Sequence, residues 1–172
     1  IELCPAMVPK VRIIGMYGSI FKGYFGRDEI SAECNVVLDT DGFRRLLESG
    51  ADITLIPLDA CGEFLIDGES YAKIKDSDNI VARIAMENYA IWQEDYNGGA
   101  VKYDSRISTS ILYDLPPILY PIMPHCFTTE EVTLKVIEDG YTRQDSSGSR
   151  VKVATGCPGK QELIDFVTGM FT

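Results

Sequence analysis

From Val11 the chain reads VRIIGMYGS, a β-branched apolar run closed by a glycine-containing turn, which predicts a parallel strand buried on both faces. Ser31 to Leu38 (SAECNVVL) ends in another apolar run but carries Glu33 and Asn35 in its middle, and it reads as an extended segment. The DTDGFRRLLESG that follows predicts a short helix. Asp39, Thr40 and Asp41 are available as caps, Phe43, Leu46 and Leu47 recur at helical spacing, and Gly50 stops it. Asp52 to Leu58 (DITLIPL) repeats the strand signal, and strand, helix, strand with a short return is the unit that builds a parallel sheet.

A long helix is predicted from Ser77 to Tyr96, with Ile80, Ile84, Met86, Tyr89 and Trp92 as an apolar stripe for a core or an interface, and a break at Asn97-Gly98-Gly99. Ser110 to Pro124 (SILYDLPPILYPIMP) begins as a helix with prolines near its first turn, and further prolines end it early. Glu131 to Glu138 and Arg150 to Ala154 alternate apolar and polar residues across a Ser/Gly-rich turn, which predicts an antiparallel pair. A last helix starts after Pro158 and carries Leu163, Ile164, Phe166 and Val167. The expected fold class is α/β, a mainly parallel open sheet with flanking helices plus a C-terminal antiparallel strand pair, in a single domain over residues 1–172.

Charge narrows the partners. The 26 acidic residues against 16 basic ones give a formal net charge of −10, which repels a phosphate backbone, so no nucleic-acid partner is expected. Such acidity suits a bound cation, or simply a well-solvated surface. Cys4, Cys34, Cys61, Cys126 and Cys157 are odd in number and widely spaced, signalling neither a disulfide framework nor a thiolate zinc site, so a reducing, cytoplasmic setting is expected. No apolar run reaches bilayer length, the first ten residues lack a signal-peptide layout, and no membrane partner is expected. The dispersed glycines form no phosphate-binding loop.

Candidate chemistry lies in Ala32-Glu33-Cys34-Asn35. On an extended strand residues two apart point to one side, so Glu33 and Asn35 could reach one ligand. A carboxylate and an amide match the vicinal hydroxyls of a sugar; the alternative is that they cap the nearby turn or helix.

Ala-Glu-x-Asn followed by an apolar run and Asp39 resembles the ribose-binding segment of the inosine/uridine-preferring nucleoside hydrolases. Ile13-Ile14-Gly15-Met16-Tyr17-Gly18 resembles that family's strand ending in Met-Gly-Gly, Ile53 to Asp59 (ITLIPLD) its strand ending in Pro-Leu-Asp, and Leu112-Tyr113-Asp114-Leu115-Pro116 its Leu-His-Asp-Pro helix start. Phe127-Thr128-Thr129-Glu130 and Val151 to Phe171 resemble its C-terminal strands and helix. The resemblance spans nearly all of this chain but only the C-terminal half of a family member. It implies cleavage of the N-glycosidic bond of ribonucleosides by a calcium-held water, through an oxocarbenium-like transition state. It also implies that Glu33 and Asn35 hold ribose hydroxyls, Met16 lines the ribose pocket and Asp114 coordinates calcium. Beside those roles stand plainer ones: Met16 as core filler, and Asp114 as a helix cap ahead of Pro116.

The family's N-terminal signature Asp-Thr-Asp-x-Gly-x-Asp-Asp, which supplies most calcium ligands and the water-activating carboxylate, does not occur in these residues. Asp39-Thr40-Asp41-Gly42 imitates it, but Phe43-Arg44-Arg45 follows, so a helix cap is expected there. No catalytic residue is therefore expected in this chain, and Asp114 alone does not make a calcium site. Tyr113 stands where the family has its leaving-group histidine, and a phenol (pKa about 10) donates a proton near neutrality less readily than an imidazole (about 6.5). The single histidine, His125, is expected in a turn or at the surface, and Arg27 falls where register from Glu33 puts a ribose-binding asparagine. The expected partners are a ribonucleoside or ribose, together with a missing N-terminal half or further copies of the chain. The alternative is a truncated paralogue that binds ribose or nucleoside without turnover, or that oligomerises through an exposed sheet edge.

Overall fold

The computed structural model describes residues 4–96 and 103–171, so the break expected at Asn97-Gly98-Gly99 lies outside the described residues. In chain order its elements are β1 (Arg12–Gly15), α1 (Cys34–Leu38), α2 (Thr40–Glu48), β2 (Asp52–Leu55), α3 (Leu58–Cys61), α4 (Gly68–Lys75), α5 (Ile80–Tyr96), α6 (Leu115–Leu119), β3 (Thr128–Val136), β4 (Thr142–Gln144), β5 (Ser149–Gly156) and α7 (Lys160–Phe171). They fall into two compact units: Ile1–Glu63 with Tyr113–Pro158, and Phe64–Leu112 with Gly159–Thr172.

The first unit holds the sheet, in the order β1-β2-β5-β3-β4. β1, β2 and β5 run parallel, and β3 pairs antiparallel with β5 on one side and β4 on the other. This is the mixed α/β architecture expected, with the predicted antiparallel pair formed by β3 and β5. Along β3 the alternation of Val132, Leu134 and Val136 with exposed Glu131 and Lys135 turns one face inward. That face and Leu55, Val151 and Val153 of β2 and β5 pack against Val36, Phe43 and Leu47 from α1 and α2. α2 starts on the Asp39 cap, whose Oδ1 accepts the Gly42 N–H at 2.9 Å, and stops before Gly50 at φ 76°. Both ends are where the sequence puts them.

Several expectations are corrected in this unit. β1 is not buried on both faces: it lies at the edge of the sheet, with Arg12 exposed and Ile13, Ile14 and Gly15 half-buried, so its β-branched run marks a strand but not a central one. Ser31 to Leu38 is not an extended segment throughout: Cys34–Leu38 is helical, because Glu33 caps it and outweighs the β-branched pair Val36-Val37. The strand expected over Asp52 to Leu58 ends at Leu55, since Pro57 has no N–H to give a ladder and Leu58 already opens α3. β4 was not anticipated. Three residues are too few to show an alternation, and only its pairing of Thr142 to Gln144 with Val136 to Leu134 defines it.

The second unit contains α4, α5 and α7. α4, also unanticipated, offers only Tyr71 and Ile74 as buried anchors, and it packs on α7, which buries Leu163, Ile164 and Val167. The Tyr71 hydroxyl donates to Ser105 O at 2.6 Å, and the Ser77 hydroxyl donates to Phe171 O. α5 begins at Ile80 instead of Ser77 because Asn79, not Ser77, presents its Oδ1 to the Val81 N–H at 2.9 Å. Among the described residues its expected apolar stripe does not enter a core as a whole: Ile80, Ile84 and Trp92 are exposed, Met86 and Tyr89 are half-buried, and the buried residue of the helix is Ala82. Among the described residues no helix is long and apolar enough to cross a membrane.

Leu55 is 0 % exposed in the middle of the sheet. Leu55→Ala is expected to lower unfolding free energy by about 2–5 kcal/mol in urea titration, whereas Leu38→Ala, at 77 % exposure, is expected to change it by less than about 0.5 kcal/mol.

Candidate functional site

The candidate residues of the first unit gather where β1 ends and α1 begins. β1 gives way to buried Met16, and Gly18 follows in a left-handed conformation at φ 87°. That backbone turn aims the Gly18 N–H at Glu33 Oε2, 3.1 Å away. Glu33 also accepts from the Asn35 N–H on Oε1 at 2.9 Å and from the Val36 N–H on Oε2 at 3.3 Å. Its side chain, 2 % exposed, therefore answers three backbone donors and ties the end of the strand to the first turn of α1. Of the two roles open to Glu33 in the sequence, capping is the one its carboxylate performs here.

The cap sets the position of Asn35. The Asn35 Nδ2 donates to Met16 O at 3.0 Å and lies 3.3 Å from Met16 Sδ, so the amide is turned onto the strand end and Oδ1 is its remaining acceptor. Met16, Asn35 and Asp114 line one open concavity of about 490 Å³ together with Tyr17, Asp39 and Phe43. Tyr17 and Phe43 stack with ring centroids 4.9 Å apart and form the apolar floor. Asp39 was expected only as a cap; it caps α2 and borders the concavity as well.

Asp114 stands at the N-cap position of α6, ahead of Pro116 and Pro117, yet its side chain makes no capping hydrogen bond and is exposed. The plainer role suggested for it is thus unfilled. Burial pushes the Glu33 carboxyl above the ordinary range, three N–H donors oppose that, and the charge of Asp114 adds to it. The Cys61 thiol, buried and donating to Pro57 O at 3.2 Å, is pushed up by burial first and then by Glu33, Asp114 and Asp59. Burial is the larger cause of both shifts, and neighbouring carboxylates add to it.

Tyr113 meets Tyr24 edge to face, with ring centroids 5.9 Å apart at 89°. Tyr24 was not singled out in the sequence. Its hydroxyl oxygen accepts the Cys34 N–H at 2.9 Å, and burial raises its pKa, with Glu33 contributing. The available signal was the run Gly23-Tyr24-Phe25-Gly26, whose tight turn holds Phe25 at φ 61° and Gly26 at φ 69°. His125 lies exposed in the turn Pro124–Cys126, and Arg27 is exposed at the end of the Tyr24–Gly26 turn.

Asp59 anchors the loop that carries Tyr24. Its Oδ2 accepts from Ile20 N at 2.9 Å, and its Oδ1 accepts from Phe21 N at 2.7 Å and Lys22 N at 3.1 Å. Within the loop the Ser19 hydroxyl donates to Lys22 O at 2.6 Å and accepts from Ser31 N at 2.9 Å, closing both ends.

A calcium ion takes about six to eight oxygen ligands. Among the described residues lining the concavity, only Asp39 joins Asp114 as a carboxylate, and its Oδ1 is engaged by the Gly42 N–H. This donor set does not fit a calcium site by itself.

No family model matches the sequence, and no curated protein sequence matches it either. Solved structures do match. A plant nucleoside hydrolase superposes with a TM-score of 0.78 at 16 % identity, over 99 % of this chain and 57 % of its own. The purine-preferring ribonucleoside hydrolase from Gardnerella vaginalis gives 0.76 at 19 %, over 98 % and 56 %. An inosine-guanosine nucleoside hydrolase gives 0.68 at 15 %, over 99 % and 56 %. The chain therefore has a nucleoside hydrolase-like fold and spans a little over half the length of these structures. At such identities the likeness is one of fold.

Asp59 makes the site's anchoring testable by pH. Burial raises its folded pKa despite three hydrogen bonds, so the folded chain holds its proton more tightly than the unfolded chain. The stability linked to that proton is full below the ordinary aspartate value of 3.8 and is lost as pH rises through the raised value. Unfolding free energies measured by urea titration from acid to neutral pH are expected to fall over that window, and to fall less in Asp59→Asn. Because Asp59→Asn also turns an acceptor into a donor facing backbone N–H groups, it is expected to be less stable by about 1–3 kcal/mol at neutral pH.

Proposed function

We propose that this chain supplies one wall of a ribose pocket in a nucleoside hydrolase-like protein. The observation that carries the reading is that Met16, Asn35 and Asp114, distant in sequence, line one concavity floored by stacked rings. In this reading Asn35 Oδ1 accepts from a ribose hydroxyl, Met16 and the Tyr17–Phe43 pair lie against the apolar face of the sugar, and Asp114 accepts from a second hydroxyl. Glu33 acts beneath them as a positioning residue, since its oxygens already receive three N–H groups.

The reaction that fits such a pocket is hydrolysis of the N-glycosidic bond of a ribonucleoside. Water adds at the anomeric carbon, the bond to the base breaks, and the base leaves with a proton. Positive charge develops on the ribosyl ring as the bond lengthens, and the Asp114 carboxylate is placed to favour it. Tyr113, next to Asp114 in sequence and in edge-to-face contact with Tyr24, does not line the concavity itself. Its phenol is a weak acid, so the step would lean on other groups.

Turnover is proposed to require carboxylates from beyond these residues, with Asp114 as one ligand of a calcium ion that such a larger assembly completes. For the chain alone we propose binding of ribose or nucleoside without turnover. The specific observation favouring this is that the donor set of the concavity is too small for the metal.

The test is thermal unfolding of the chain with millimolar ribose or inosine. The wild-type midpoint is expected to rise. Asn35→Ala is expected to weaken binding at least about tenfold, roughly 1.5 kcal/mol, and to lower the ligand-free midpoint as well, because its hydrogen bond to Met16 O is lost. Asp114→Ala is expected to weaken binding similarly but to leave the ligand-free midpoint unchanged, since the side chain is exposed and caps nothing. Equal ligand-induced shifts in wild type and both variants would remove these residues from the pocket, and no shift in any of them would remove the pocket.

A further inference from the structure

Asp39 uses one of its two carboxylate oxygens for the fold. As the N-cap of α2 it accepts the Gly42 N–H on Oδ1 at 2.9 Å, and that is the hydrogen bond its side chain makes among the described residues. Oδ2 lies where a Cβ added to Gly42 would come within 2.2 Å of it. Gly42 has no positive φ to account for a glycine, and glycine is a poor helix former, so what its missing side chain provides is room for the carboxylate. A cap alone does not require the second oxygen, since a single side-chain oxygen on Asn, Ser or Thr satisfies the same N–H. Asp39 and Gly42 both line the concavity that Met16, Asn35 and Asp114 share.

We propose that Asp39 is a further ligand-binding residue of the concavity: Oδ1 keeps α2 capped while Oδ2 accepts from a hydroxyl of the bound sugar. The inference rests on the ribose reading and adds to it a requirement on the ligand. Asn35 has its amide nitrogen on Met16 and offers Oδ1, Asp114 caps nothing and offers its carboxylate, and Asp39 offers Oδ2. Three acceptors along one wall call for a ligand that brings three hydroxyl donors, which the ribosyl group of a nucleoside has at its 2′, 3′ and 5′ positions and a deoxyribosyl group does not. A ligand short of one hydroxyl leaves an acceptor stripped of water with no donor in return, and that loss is what separates the two. The cap holds the Asp39 carboxylate in place before the ligand arrives, which lowers the ordering cost of binding.

Thermal unfolding of the full chain with inosine and with its 2′-, 3′- and 5′-deoxy derivatives is the test. Asp39→Asn keeps a capping oxygen and sets an amide nitrogen where Oδ2 stands, and Asp39→Ser keeps a capping hydroxyl and removes the second oxygen. Both are expected to unfold near the wild-type midpoint when no ligand is added. Both are expected to bind inosine at least about tenfold more weakly than wild type does. They are also expected to lose the wild-type preference for inosine over one of the three deoxy derivatives while keeping it over the other two. Gly42→Ala, which removes no polar group, is expected to weaken inosine binding as well, by displacing the carboxylate. Unchanged inosine binding in both Asp39 variants overturns the role of Asp39 and leaves the ribose reading standing. So does equal weakening towards all four nucleosides, the mark of a structural effect alone. A wild type whose midpoint inosine does not move overturns the ribose reading, and this inference with it.

Discussion

A buried carboxylate answering three backbone N–H groups is the constraint on which the candidate site depends. Glu33 loses hydration on entering the fold, and its raised pKa records that loss as the larger effect. What keeps it inside is that Gly18, Asn35 and Val36 would otherwise each hold an N–H with no partner. The arrangement links two segments with no covalent reason to meet, the turn after β1 and the start of α1. Asn35 is then delivered to Met16, and the two line the concavity side by side.

Asp59 repeats the device on the loop that follows Gly18. A second partly buried carboxylate gathers three consecutive amides of the loop at Ile20 to Lys22, and that loop carries Tyr24 to its contacts with Cys34 N and Tyr113. In both cases acidic side chains serve as interior acceptors for a backbone that strands and helices leave unsatisfied. Part of the acidity of the chain is therefore structural, not solvating.

The elements legible in the sequence are those whose own residues carry the signal. β1, α2, β3, β5 and α7 show periodicity, caps or stops that no distant contact overrides, and the α/β class follows from them. α1 was obscured because its helix depends on one cap and on Gly18, fifteen residues earlier, while Val36 and Val37 argue locally for a strand. β4 and α4 exist by virtue of their partners. α5 was legible as a helix but not in its direction of burial: Ile80, Ile84 and Trp92 of the expected stripe face solvent, while Met86 and Tyr89 turn partly inward. For the site, residue type nominated Met16, Asn35 and Asp114. It could not reveal that Glu33 is turned inward or that Tyr24 joins Tyr113, since both depend on a loop whose path is set by Asp59.

The electrostatics of the concavity narrow what it can hold. Among its described lining residues are two carboxylates, Asp39 and Asp114, and no basic side chain, while Glu33 lies behind them and Asp114 already raises its pKa. An anionic ligand entering there would meet like charge at close range without a compensating donor, which disfavours phosphorylated sugars and nucleotides. A neutral polyol has the opposite relation to the same groups, because its hydroxyls donate to carboxylate and amide oxygens and its ring carbons rest on the Tyr17–Phe43 stack. A sugar that acquires positive charge as its glycosidic bond lengthens is favoured further, and increasingly so along the reaction. That electrostatic relation, favourable to a neutral or cationic guest and unfavourable to an anionic one, is what the proposed ribose pocket draws on.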